Sequence, residues 1–150
     1  MGYDLSNVNG KYFRWNMWGW AEVVNLALAY GWQPEGTELE YSDQRFDSYQ
    51  QWEEVSQSLG GSYYGNDGQM VAEEDARAFG EALETSLDDI PDEDIKDRSS
   101  TIIDDAFMTE RAKVWGQEKA TLIAGFSGKE NKDYLKEFVS FLKNGAFYIY

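Results

Sequence analysis

Asn9-Gly10-Lys11-Tyr12-Phe13-Arg14-Trp15-Asn16 is the stretch that decides the fold. Asn9-Gly10 suits the positive backbone angles of a tight turn, and the residues after it alternate in character, so a β-hairpin is expected around it. Asn16 then stands where a helix N-cap belongs. Beyond it Trp20, Val23, Val24, Ala27 and Leu28 recur at helical spacing, Gly31 supplies a left-handed stop and Pro34 follows.

The opposite end answers this opening. Ala146-Phe147-Tyr148-Ile149-Tyr150 is too apolar for an untethered tail and suits a strand, which is expected to pair with the N-terminal hairpin. Between the ends, Phe46, Tyr49, Trp52 and Val55 recur every three residues, a spacing that drifts around a 3.6-residue helix. A short helix near 44–58 is expected, ended by Gly60-Gly61. Asn66-Asp67-Gly68 reads as a turn joining short strands at Tyr63-Tyr64 and Gln69-Met70-Val71. From Glu73, the residues Ala76, Phe79, Gly80, Leu83 and Leu87 mark an amphipathic helix closed by Pro91.

Residues 88–100 are rich in carboxylates and poor in apolar side chains, so a mobile acidic loop is expected there. Helix resumes after Ser100 with Ile103, Phe107, Val114 and Trp115, and Gly116 breaks it. Ser127 and Glu130 have capping-box spacing ahead of a last helix carrying Tyr134, Leu135, Phe138, Phe141 and Leu142, with Gly145 as its end. The expectation is one α+β domain over residues 1–150, with about four helices packed on a small antiparallel sheet of N-terminal hairpin plus C-terminal strand.

A chain of 150 residues buries about two-thirds of its unfolded surface, enough for one core. Six Trp, ten Tyr and eight Phe supply that core, so the mean hydropathy of -0.63 reflects charge rather than a missing interior. With no cysteine, disulfides and thiolate chemistry are excluded; with no histidine, so are His-dependent triads, the common zinc sites and the usual general base near neutral pH. No apolar stretch is long enough for a membrane span and the start lacks a secretory leader pattern, so a cytoplasmic protein is expected. Met1-Gly2-Tyr3-Asp4-Leu5-Ser6 fits the short myristoylation pattern, but one acyl chain anchors weakly without a basic patch.

The net charge of -15 is concentrated. Residues 35–97 hold nineteen carboxylates against Arg45, Arg77 and Lys96, a balance of -16, while the two flanks together sum to +1. Clustered charge of one sign makes a field that evenly spread charge does not. Part of it has local explanations: Glu73, Glu74 and Asp75 in a first helical turn complement the helix dipole, and a solvated acidic surface keeps a protein soluble.

The densest group is Asp88, Asp89, Asp92, Glu93 and Asp94. Calcium would need converging oxygens and a glycine for the sharp turn, which this run lacks. Around Asn66-Asp67-Gly68 an EF-hand register places Tyr63 and Gly65 at ligand positions, so that segment is expected to be a turn. No metal and no cofactor is expected. Phosphate recognition needs a basic stripe, but Lys129, Lys132, Lys136 and Lys143 interleave with Glu130, Asp133 and Glu137, so direct nucleic-acid binding is not expected. No phosphate-cradling loop, nucleophile elbow or dinucleotide fingerprint is present.

The function expected is that of a non-enzymatic acidic binding protein that recognises a basic protein partner, as an inhibitor or immunity-type factor. Its candidate contacts are Asp88, Asp89, Asp92, Glu93 and Asp94, with Trp18 as an exposed aromatic anchor off the buried face of its helix. The alternative is a small-ligand or carbohydrate-processing protein that uses aromatics and a carboxylate pair.

Met1-Gly2-Tyr3-Asp4-Leu5, Tyr12-Phe13-Arg14-Trp15-Asn16 with Gly19-Trp20, and Phe147-Tyr148-Ile149-Tyr150 resemble small uncharacterised bacterial or phage-encoded proteins of unknown function. The resemblance covers the two ends better than the middle. It implies a bacterial cytoplasmic setting and no activity or site.

Overall fold

The structure, a computed structural model, describes residues 2–95 and 113–150. Strands β1 (Gly2–Asn7) and β2 (Tyr12–Asn16) form the N-terminal hairpin. The Asn7 side chain accepts from the N–H groups of Asn9 and Lys11, and Gly10 takes a φ of 80°, which is why the turn falls at Asn9-Gly10. Helix α1 (Met17–Ala29) follows without a linker, because Asn16 ends the strand and caps the helix, its Oδ1 accepting from Gly19 N at 2.6 Å.

Helix α2 (Tyr49–Leu59) starts at the Ser48 cap and ends on left-handed Gly60. Strand β3 (Gln69–Val71), helix α3 (Glu73–Leu87), helix α4 (Gln117–Gly125), helix α5 (Lys129–Leu142) and strand β4 (Phe147–Ile149) complete the named elements. The sheet is antiparallel throughout, in the order β2-β1-β4-β3. The last strand therefore lies inside, pairing Leu5 with Ile149 on one side and Val71 with Phe147 on the other. The α+β architecture expected from sequence is present, but where about four helices were expected the described residues hold the five named ones and the end of a sixth. The helix expected around Ile103 and Phe107 lies outside them; residues 113–115 are helical up to Gly116, whose φ of 84° breaks the helix.

Alternation along the strands sends Tyr3, Leu5, Trp15, Val71, Phe147 and Ile149 to the buried face of the sheet. They join Trp20 and Val23 of α1, Phe79 and Leu83 of α3, and Leu135, Phe138 and Leu142 of α5 in one core. Helices α3 and α5 approach closely at Gly80, where a side chain would meet Leu142 at 3.2 Å. Trp32 stacks on Phe79 with centroids 4.1 Å apart, and Trp20 N–H donates to the Tyr63 carbonyl at 2.9 Å. Each such ring contributes about 1.5–3 kcal/mol by burial. The buried Trp15 indole N–H has no oxygen or nitrogen acceptor among the described residues; it lies among the inclined rings of Phe126, Tyr134 and Phe138.

Four local expectations are corrected. On α1 it is Leu26, three residues after Val23, that is buried, and Leu28 is exposed. Tyr63-Tyr64 is not a strand, because side chains take the carbonyls a ladder would use: Trp20 binds the Tyr63 carbonyl and Tyr3 binds that of Tyr64. The capping box at Ser127 and Glu130 does not form; Gly128 occupies the cap, and the Ser127 hydroxyl instead donates to Ala124 O and accepts from Ile95 N. Asp75 is not a solvated first-turn carboxylate but a buried one, 1 % exposed.

Candidate functional site

The acidic run begins where α3 ends. Asp88 is the exposed C-cap residue, and Ile90 turns inward and is buried, fixing the run to the core. Pro91 O accepts from Gly128 N at 3.1 Å, and Ile95 N donates to Ser127 at 3.1 Å. Residues 91–95 are thus laid along the turn between α4 and α5. Gly128 suits this turn through its φ of 97°, a left-handed conformation that a side chain would strain.

The run meets the protein's own cations. Asp92 pairs with Lys132 at 2.8 Å, and Lys132 is drawn down until its side chain is 12 % exposed. The Lys132 hydrogen bond and charge hold the Asp92 carboxyl below its ordinary 3.8, with Lys136 and Lys129 adding to the effect. Asp89 accepts from the Tyr30 hydroxyl at 2.6 Å, and Lys119 lies 4.1 Å over the Tyr30 ring. Burial first, and then the Asp89 hydrogen bond, raise the Tyr30 hydroxyl above its ordinary 10.0. Asp88 and Glu93 are exposed and have no ion pair among the described residues.

Trp18 is 74 % exposed on the first turn of α1. It borders an open cleft of about 230 Å³ shared with Trp15, Glu22, Phe126, Asn131 and Tyr134. Phe126 belongs to the same turn that carries Ser127 and Gly128, and Asn131 to the first turn of α5 that follows it. Trp18 and the acidic run therefore both abut the α4–α5 turn, although they lie some seventy residues apart in sequence.

A second group was not singled out from sequence. Tyr41, Tyr49 and Trp52 form a ring cluster with centroids 5.0 to 5.9 Å apart on and beside α2. Trp52 N–H donates to Leu39 O at 2.8 Å, and the Tyr41 hydroxyl donates to Asp43. The signal was the three-residue recurrence of aromatics, which on a 3.6-residue helix drifts off any single buried face. Helix α2 buries none of its residues, whereas each of the other named helices buries at least three.

Alongside α2 runs an open trough of about 540 Å³ bounded by Glu54, Val55, Leu59, Tyr64 and Asp67. Among the described residues no group of three potential ligands is placed to hold a metal ion, and no helix is long and apolar enough to cross a membrane. The Asn66-Asp67-Gly68 turn is held by the Asn66 amide donating to Gly2 O and Tyr150 O and by Gly68 N donating to Ile149 O. Comparison with protein-family models, with curated proteins and with solved structures finds no match.

Proposed function

We propose that this protein binds a basic protein partner, without catalysis, through the acidic surface of residues 35–95, as an inhibitor or immunity-type factor does. One observation carries the reading. Glu38, Glu40, Asp43, Asp47, Glu53 and Glu54 are exposed and have no ion pair among the described residues, whereas Glu73, Asp92 and Glu84 of the same segment pair with Arg77, Lys132 and Lys143. Charge that the fold does not neutralise is free to steer and hold a cation-rich surface.

The acidic run contributes less than its density suggests, because Asp89 and Asp92 already have internal partners. The clefts bordering α1, α2, α3 and α4 are open troughs rather than enclosed apolar chambers, which favours a surface contact over an engulfed small ligand.

The test is binding of a fluorescent poly-lysine peptide across a series of salt concentrations. Affinity is expected to fall steeply as salt rises. Replacing Glu40, Asp43, Glu53 and Glu54 together by their amides is expected to weaken binding by about ten-fold or more, and Asp92→Asn by far less. A salt-independent Kd, or no binding at low salt, overturns the proposal.

A further inference from the structure

We propose that the cluster of Tyr41, Tyr49 and Trp52 is the docking surface for arginine side chains on a basic polypeptide segment. The inference rests on the basic-partner reading above and specifies where and how contact is made. Helix α2 is amphipathic, with Trp52, Val55 and Leu59 along one side, yet it buries no residue. Tyr49 is 59 % and Tyr41 42 % exposed, so large ring faces stand in solvent. Their geometry is set in advance, since Trp52 is tied to Leu39 O and Tyr41 to Asp43; little ordering remains to be done on binding.

With centroids 5.0 to 5.9 Å apart the rings fill the space between them, leaving no chamber for a small molecule. What they offer is their outer faces, rimmed by carboxylates. Asp43 touches the cluster through Tyr41, and Glu53 lies one helical turn from Tyr49 on the same side. Arg45, the cation nearest to them in sequence, is engaged elsewhere: it donates to Asp67 O, with its guanidinium 5.6 Å from the Phe46 centroid and 5.9 Å from that of Tyr150.

A bare aromatic face would accept any apolar surface, and the carboxylate rim selects a cation. Between the two cationic side chains, the flat guanidinium stacks on a ring while its edge donates to a carboxylate, which a compact ammonium does not do. An arginine-bearing segment therefore fits this surface better than a lysine-bearing one of equal charge.

The test compares poly-arginine and poly-lysine peptides of equal length, binding to the whole chain at one salt concentration. Wild type is expected to prefer poly-arginine by about five-fold. The double variant Tyr41→Ala, Tyr49→Ala, changed at exposed positions, is expected to lose that preference while keeping its affinity for poly-lysine. Tyr49→Phe, which preserves the ring, is expected to keep the preference. Equal affinity for both peptides in wild type, or a preference that survives the alanine pair, removes the ring cluster from the contact and leaves binding by charge alone intact. Failure of both peptides to bind removes the basic-partner reading as well.

Discussion

Trp32 donates its indole N–H to the carboxylate of Asp75 at 3.0 Å, and both residues are buried. The same carboxylate accepts from the Tyr63 hydroxyl at 2.5 Å and from Glu35 N at 3.3 Å, while the Tyr63 oxygen accepts from Gly36 N at 2.9 Å. One side chain on the first turn of α3 thus gathers both ends of the excursion that carries α2. Thr37 N donating to Gly61 O at 3.0 Å closes its base.

Asp75→Ala is expected to lower the unfolding free energy by about 3 kcal/mol in urea titration, because it strands the Trp32 N–H and the Tyr63 O–H inside the protein. Asp75→Asn keeps an acceptor for part of this set and is expected to cost less. An alanine variant as stable as wild type would show that these donors find other partners.

Alkaline pH tests the same cluster. Burial first, then the hydrogen bond to Asp75, raise the Tyr63 hydroxyl above its ordinary 10.0. A raised folded-state value means that the contribution to stability is complete below pH about 10 and is lost above it, as the unfolded chain releases a proton that the folded one retains. Stability is expected to fall from there by about 1.4 kcal/mol per pH unit on account of Tyr63. Tyr63→Phe is expected to be less stable at neutral pH and to show a shallower alkaline decline. An unchanged slope would count against the assignment.

Two tryptophans separate core from excursion. Trp20→Ala empties a fully buried site and is expected to cost about 3–5 kcal/mol. Trp52→Ala removes a half-buried ring from α2 and is expected to cost about 1–2 kcal/mol. Amide exchange is expected to be faster along α2 than along α3, and equal protection would contradict the unburied position of α2.

Much of this fold is legible in the sequence because local chemistry and tertiary packing agree. Asn9-Gly10 and Asn16 mark turn and cap, and Phe147 with Ile149 alternates like the strand it is. The pairing of β3 with β4 is not legible, since three residues carry too short a period. Asp75 was hidden for another reason: a carboxylate in a first helical turn is the ordinary surface case, and only the folded chain brings Trp32 and Tyr63 to it. The acidic run was visible as charge, but the pairing of its Asp92 with Lys132 joins residues forty positions apart. The aromatic cluster on α2 was visible as spacing alone.

Asp92 and Lys132 give an acid-side check. A folded-state value held below 3.8 means that this pair stabilises the fold above the unfolded-state value and ceases to do so as pH falls through the folded one. Followed by NMR, the Asp92 carboxyl is expected to titrate below 3.8 in wild type and to move back towards it in Lys132→Met or at high salt. A titration unaffected by Lys132→Met would show that the pair does not persist in solution.

Strand β4 lies between β1 and β3, so the middle of the sheet is made last. A nascent chain leaving the ribosome carries the hairpin edge and β3 as two unpaired rows of backbone groups until residues 147–149 clear the exit tunnel. Pairing Leu5 with Ile149 then closes a loop of well over a hundred residues, the kind of long-range contact that slows folding. A ribosome that stalls shortly before that point would hold an open, aggregation-prone sheet.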